Sequence, residues 1–510
     1  MPRALEAACG GVTLGRIVTL PDPPDDRPPA AAAAARDCSP TAPGPRVGYR
    51  QTLLTVIGIT LLALWVWWWF ETLRSGRLAL GAQTRIPAWR FLGLDFLHNF
   101  WGVRVWIGGG NPYRDTIGDW RGSYAYPPIV LPLYAWTALF NKGAAVVLWM
   151  GFIAAVLSAG GWMAWRVRQA LNLARLPLVF VVGAVLCSMP AIFAIERGQG
   201  DAICLLMIVL AAVAVHRRES WGRDIVIGTC LAVAAWVKIY PAILIPGLLA
   251  LRMPRALGVA IAAAVLIGIV PYQATVESFQ ATAQGDRASF VTEVRAWLTD
   301  PNYAPARAAG YEAISVDSHS LTTYWSRLWN HFRLDALARM PGLLGAALVL
   351  VPLALWVSAS VWRSPARERL AFPYLLLLVT LATFGLPVSY DYNLIYLPLA
   401  ALAVCDRRDG PIVAVALVGM LVWWQPFRVP WEMQVATAFA LFDAEPPMKP
   451  FAMLLGLERD VLFFLKLFAA VGVLVSLAMR AREAAEVVDP AGLSAPMTSP
   501  PHPQGADAPA

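Results

Sequence analysis

Uncharged apolar stretches of membrane length recur along most of this chain, and they leave few folds open to it. Crossing a hydrocarbon core takes roughly 20 apolar residues in a helix. Backbone polar groups inside that core must be bonded within the chain, which restricts spanning segments to helices or closed barrels. The apolar runs here are continuous rather than alternating, so they predict helices. Candidate spans are 53–70, 143–165, 176–195, 202–216, 225–237, 240–251, 256–276, 341–362, 370–388, 393–405, 411–424 and 460–479. The expectation is an all-α polytopic membrane protein with about twelve crossings. The pair flanking Lys238 is short for full spans, and the proline-broken stretch 127–140 reads as a half-helix that does not cross.

Composition agrees. With 58% of its 510 residues hydrophobic and only 15% charged, the chain lies outside the range of ordinary soluble domains. Its 22 tryptophans suit a headgroup layer, where an indole keeps its ring apolar and its N–H wet. A net charge of +8 then belongs to cytoplasmic loops, and no nucleic-acid partner is expected. Cys9, Cys38, Cys187, Cys204, Cys230 and Cys405 show neither a disulfide framework nor zinc-ligand spacing. Residues 1–45 are rich in Ala and Pro and carry acids as well as arginines, which predicts a disordered cytoplasmic tail rather than a signal peptide. Residues 486–510 read as a second disordered tail. Between them, 53–480 read as one transmembrane domain with long loops at 73–126 and 277–340.

Short loops rich in Lys and Arg favour the cytoplasmic side. Arg166, Arg168, Arg175, Arg217, Arg218, Arg223, Arg252, Arg255, Arg363, Arg367, Arg369, Arg407, Arg408, Arg480 and Arg482 share one side if 127–140 does not cross. Five polar features then gather on the exoplasmic face of a cell membrane: loop 73–126, Glu196 to Asp201, Lys238 to Pro241, loop 277–340, and Pro387 to Asn393. The cytoplasmic face is left with short basic turns and no acid cluster beyond solvated charge.

Around Asp95, the sequence from Leu92 to Trp101 puts Asp95, His98 and Asn99 on one helical face, with Leu94, Leu97 and Trp101 on another. This pattern predicts an amphipathic helix at the membrane surface, polar side up. A carboxylate so placed could take a proton from a hydroxyl nucleophile; a salt bridge with Arg90 or Arg104 would explain it equally. Gly108 to Tyr113 reads as a turn. Tyr124, Tyr126 and Pro127-Pro128 lead back toward the bilayer, where the tyrosines either contact sugar or anchor the interface. In Glu196-Arg197-Gly198-Gln199-Gly200-Asp201, Arg197 and Gln199 face an aqueous vestibule and Asp201 caps the next helix. Lys238 lies between apolar runs with no acid near it in sequence; a lipid phosphate is a natural partner, and snorkelling to the headgroups is the bland alternative. His319, in Ser315-Val-Asp317-Ser-His319, could bind phosphate, assist a proton transfer or sit idle in its loop. Tyr390-Asp391-Tyr392 suits sugar hydrogen bonding but also a plain turn.

The order of these pieces resembles glycosyltransferase family 87, the polyprenyl-phosphate-mannose-dependent mannosyltransferases of the GT-C fold. The resemblance rests on Asp95-Phe96, Gly110-Asn-Pro-Tyr113, Tyr126-Pro-Pro128, Gly198-Gln199, Lys238-Ile-Tyr-Pro241 and Pro387-Val-Ser-Tyr390, and spans about 53–480. It implies transfer of a hexose, with mannose as the first expectation, from a polyprenyl-phosphate donor to a lipid or glycan acceptor on the exoplasmic face. By the resemblance, Asp95 is the general base. By it Lys238 is also a candidate ligand for the donor phosphate; from the residue readings above, Arg197 and His319 are expected to share that phosphate, and His98, Asn99, Tyr126, Gln199, Tyr390 and Asp391 are expected to contact sugar or acceptor. No metal and no cofactor are expected, because a monophosphate leaving group can be held by basic side chains. The chain departs from the family where Tyr390-Asp391-Tyr392 replaces a Trp and paired histidines, and where Asp317-Ser-His319-Ser replaces an Asn-Gln-Ser type sequence. Two other classes fit the apolar pattern: a secondary transporter or lipid flippase, against which no internal repeat is visible, and a glycan polymerase or ligase using lipid diphosphates.

Overall fold

A computed structural model describes residues 45–75, 92–110, 112, 126, 130–282, 342–386, 391–410 and 466–485, without the side chains of 45–47, 269–282, 342–343 and 391–392. The chain divides into two compact units, Met1–Thr52 and Leu53–Ala510. Of the first, only residues 45–52 are described, as the opening turns of a helix. Everything below concerns the second. Among the described residues all regular structure is helical, with no strand.

The helices, numbered as described, are α1 (Pro45–Ser75), α2 (Leu94–Ile107), α3 (Val130–Tyr134, continued by a 3₁₀ turn Ala135–Leu139), α4 (Lys142–Ala170), α5 (Leu178–Leu186), α6 (Met189–Arg197), α7 (Asp201–Val215) and α8 (Trp221–Val237). A 3₁₀ turn, Tyr240–Ile243, leads into α9 (Leu244–Ala250), and α10 (Pro254–Thr282), α11 (Gly342–Arg363) and α12 (Arg367–Gly385) follow. Another 3₁₀ turn, Asp391–Ile395, opens α13 (Tyr396–Val404), and residues 466–485 form α14. The apolar runs read from sequence coincide with these helices, apart from 411–424, which lies outside the described residues.

Length divides them. Gly48–Arg74, Lys142–Ala170, Leu344–Arg363 and Arg367–Gly385 are long and apolar enough to cross a membrane, and α5 with α6 makes a fifth if that pair, bent by 56°, counts as one span. Val130–Leu139, Asp201–Val215, Tyr240–Ala250, Pro254–Gly268 and Asn393–Val404 are shorter apolar helices. At 1.5 Å per α-helical and about 2.0 Å per 3₁₀ residue, Val130–Leu139 reaches roughly 17 Å, short of a full hydrocarbon core. Among the described residues, four to five helices thus meet the length and apolarity of a full span, which leaves the expected twelve crossings unconfirmed.

Local chemistry sets the breaks. Asn141 accepts the Ala144 N–H at 2.9 Å to start α4, and Ser220 accepts that of Arg223 at 3.2 Å to start α8. Proline in the first turn opens α6, and Gly198, at φ +69°, closes it in the left-handed conformation that glycine adopts without strain. Helix α12 is the most enclosed span, with 78% of its apolar window buried, whereas that of α1 is only 11% buried. Small residues bring backbones together, as membrane helices require. A Cβ on Gly58 would stand 2.5 Å from the Phe180 nitrogen, and one on Gly228 would stand 2.7 Å from that of Ala260.

The helix ends sort the polar residues. At one end lie the C-terminus of α4, the start of α8 and the arginine-bearing turns, and here Asp406 and Asp409, acids that read as ordinary solvated charge, belong to a buried network, while Arg407 and Arg408 beside them are exposed. The Arg168 guanidinium, on α4, donates to the Ala174 carbonyl at 2.6 Å and to Asp406 at 3.2 Å, and Arg480 of α14 pairs with Asp409. Asp409 also accepts from Ser476 Oγ at 3.0 Å and from the Asp406 backbone at 2.8 Å. Arg168, Asp406, Asp409 and Arg480 are all buried. Acids spaced three apart in a basic turn look solvated in sequence; α4 and α14, distant along the chain, supply the cations that bury them.

Candidate active site

The opposite ends of the helices bring together the C-terminus of α6, the start of α7, the end of α8, the start of α13, and α2. Both faces of α2 are buried: Leu94, Phe96, Leu97 and Phe100 on one side, Asp95 and Asn99 on the other. This corrects the expectation of a surface-lying amphipathic helix with its polar side up. The reason is a partner distant in sequence, the Glu196–Asp201 turn, which is docked on α2. The Gly93 N–H donates to the Glu196 carbonyl at 2.7 Å, and a Cβ on Gly198 would stand 2.6 Å from that of Phe96. Trp149 of α4 locks the two, stacking on Phe96 at 5.5 Å between centroids and donating its indole N–H to the Gly198 carbonyl at 2.9 Å.

This docking joins Asp95 to Arg197. The guanidinium donates Nη2–H to Oδ1 at 2.7 Å and Nε–H to Oδ2 at 3.1 Å, a bidentate pair with side chains 14% and 10% exposed. Arg104, one of the two partners expected from sequence, instead donates to the Phe140 carbonyl at 2.8 Å and covers the Phe100 ring, and the other, Arg90, lies outside the described residues. A carboxylate has about four lone-pair sites, so the fork leaves capacity for a hydroxyl.

A second charged pair lies beside the first. Lys238 Nζ stands 3.7 Å from Asp201 Oδ2, 3.4 Å from Gln199 Oε1 and 5.2 Å from the centre of the Tyr126 ring. Lys238 follows α8 in extended conformation, which ends the helix and turns the side chain to this cluster. Asp95 interacts electrostatically with Tyr126, Asp201 and Lys238, so the two pairs form one site.

Asp201 does not cap α7 as expected. Gly200 occupies the cap position without a side-chain bond, and Asp201 is the first helical residue. Its Oδ1 accepts from the Tyr396 hydroxyl at 3.2 Å, and Tyr240 Oη lies 3.5 Å from that of Tyr396. Asn99 donates its amide to the Asp95 backbone carbonyl at 3.1 Å. His98 is half-buried, and burial lowers its pKa below the ordinary histidine value against the pull of Asp95.

Asp95, His98, Asn99, Tyr126, Arg197, Gln199 and Lys238 are thus brought to one place. His319 and Tyr390 lie outside the described residues, and Asp391 is placed only as backbone in its 3₁₀ turn, which packs on α6. Sequence reasoning missed Tyr396, Tyr134 and Trp149. The Tyr134 hydroxyl is buried with no hydrogen-bond partner among the described residues, and a Cβ on Gly200 would lie 3.3 Å from it. No local pattern marks these residues; Tyr396 meets Asp201 from 195 positions away.

A family model described as Glycosyltransferase family 87 matches residues 124–389, a stretch that holds Tyr126, Arg197, Gln199, Asp201, Lys238 and His319 and begins after Asp95. No curated protein and no solved structure matches the chain.

Proposed function

The chain belongs to glycosyltransferase family 87 and is a membrane glycosyltransferase, and from that premise we propose that it transfers a hexose, mannose first, from a polyprenyl-phosphate donor to a lipid or glycan acceptor. The GT-C fold and a site on the exoplasmic face of the cell membrane are part of the proposal. Membership of the family argues against a transporter or flippase.

The observation that carries the mechanism is the bidentate Asp95–Arg197 pair beside Lys238. The acceptor hydroxyl gives its proton to Asp95 as its oxygen bonds to the anomeric carbon. The bond from that carbon to the phosphate oxygen breaks, and its electron pair stays on the phosphate. The donor, a phosphodiester, carries one negative charge, and the departing polyprenyl phosphate carries about two. The proton lodged on Asp95 removes the charge that Arg197 had matched. Arg197 is thereby released to face the phosphate just as the phosphate gains charge, and Lys238 supplies the second cation. In this proposal His98, Asn99, Tyr126 and Gln199 hydrogen-bond sugar or acceptor, and His319, Tyr390 and Asp391 complete the contacts.

Purified protein in liposomes with polyprenyl-phosphate mannose tests this. Asp95→Asn is expected to abolish transfer while the protein accumulates normally; near-normal turnover removes Asp95 from the mechanism. Activity with a lipid-diphosphate donor alone would move the chain to the polymerase or ligase class.

A further inference from the structure

Asp201 is the charged group to which the proposed chemistry gives no task, and its side chain is fully buried. Oδ1 is held by the Tyr396 hydroxyl at 3.2 Å, while Oδ2 accepts no hydrogen bond among the described residues. The ammonium of Lys238 stands 3.7 Å from Oδ2, beyond hydrogen-bonding distance, and 3.4 Å from Gln199 Oε1. Lys238 is therefore held by one long hydrogen bond to Gln199 and by the attraction of Asp201, without a close bond to that carboxylate, and its side chain is 18% exposed.

An ammonium has three N–H donors, and a phosphate oxygen can approach it to about 2.8 Å. A phosphate entering the site therefore wins Lys238 from Asp201. Asp201 cannot follow or leave, being fixed by Tyr396 at the first turn of α7, so its negative charge goes on opposing the bound anion. That opposition scales with the charge of the anion. It is weaker against the singly charged donor than against the doubly charged product.

We propose that Asp201 is a positioning residue that limits the hold of Lys238 on phosphate, so that the donor binds and the more highly charged polyprenyl phosphate leaves. This rests on the reading of Lys238 as a phosphate ligand. An acid that served only to support the fold would, on removal, loosen the site toward donor and product alike. Removal of an opposing charge tightens it, most of all for the product.

The test is inhibition by farnesyl phosphate of mannose transfer in phosphatidylcholine liposomes. Asp201→Asn keeps the shape and the bond from Tyr396 but loses the charge. It is expected to be inhibited at a concentration at least tenfold lower than wild type, with kcat reduced through slower product release. Asp201→Glu, which keeps the charge, should stay within about threefold of wild type by the same Coulomb argument. Unchanged or weaker inhibition of Asp201→Asn overturns the proposal. Should that variant fail to accumulate, Asp201→Ser, which also lacks the charge, carries the same expectation and the same refutation. Lys238→Gln is the control for the underlying reading, with inhibition expected at least tenfold weaker. If it is unaffected, the phosphate role of Lys238 falls and Asp201 with it; if it weakens while Asp201→Asn does not tighten, the Asp201 inference alone falls.

Discussion

Gly198→Ala should disable the site without touching a charged residue. Gly198 has φ +69°, where an alanine costs roughly 1–2 kcal/mol. Its new Cβ would stand 2.6 Å from the Phe96 Cβ and 3.2 Å from the Gly93 Cα. Carbons in contact sit about 3.5–4.0 Å apart, so the turn and α2 must separate by about 1 Å. Overpacking of that kind adds about 1–3 kcal/mol, giving a stability loss of roughly 2–5 kcal/mol. Phe96 adjoins Asp95, and the Asp95–Arg197 bonds are 2.7 and 3.1 Å long. A shift of about 1 Å takes them out of hydrogen-bonding range, and a displacement of that size at a reacting centre lowers the rate about 100-fold. Thermal unfolding in detergent and transfer in liposomes read the two effects separately. Gly151→Ala is the control, since its Cβ would meet nothing within 4 Å. A folded Gly198→Ala protein with wild-type turnover would refute the claim that this contact sets the position of Asp95.

Two further outcomes concern the fold. Asp409→Asn should lower stability by about 3 kcal/mol, the low end for a broken buried pair because Glu483 still bonds Arg480; thermal unfolding measures it, and a loss below 1 kcal/mol contradicts a structural role for the network. Gly228→Val puts atoms 2.7 Å from the Ala260 nitrogen and 2.8 Å from the Ala256 carbonyl, backbone that cannot yield. It should keep α8 from seating on α10, seen as loss of folded protein on size-exclusion chromatography.

The apolar runs were legible because burial in lipid or protein demands them residue by residue. Thus 143–165 reappears as α4 (Lys142–Ala170), and 176–195 as the bent pair α5 and α6. Span count was less legible, since a short run such as 240–251 reads alike whether it crosses or only enters. Asp95, Arg197, Gln199 and Lys238 stood out as polar residues among apolar ones, but their pairing did not, because Asp95 and Arg197 are 102 residues apart. Asp201 was misread by a single position: as a cap it would have faced backbone N–H groups, whereas as the first helical residue it faces Lys238 and Tyr396. The acids at 406 and 409 misled for a similar reason, since their cations come from Arg168 and Arg480.

The chain turns back from Lys238 along a short path. Helical structure from Tyr240 to Ala250, a 3₁₀ turn followed by α9, rises only roughly 18 Å, well short of a hydrocarbon core, before the chain meets Arg252. With Lys238 and Arg252 near the two ends of so short a path, a lipid layer of ordinary depth has to adapt if both are to reach its surfaces. Either the layer thins beside this hairpin or one of the cations works beneath the headgroups. Bilayer thickness, set by acyl-chain length, therefore becomes an operating condition of the proposed site, and liposomes of graded chain length should tune it as surely as a mutation does.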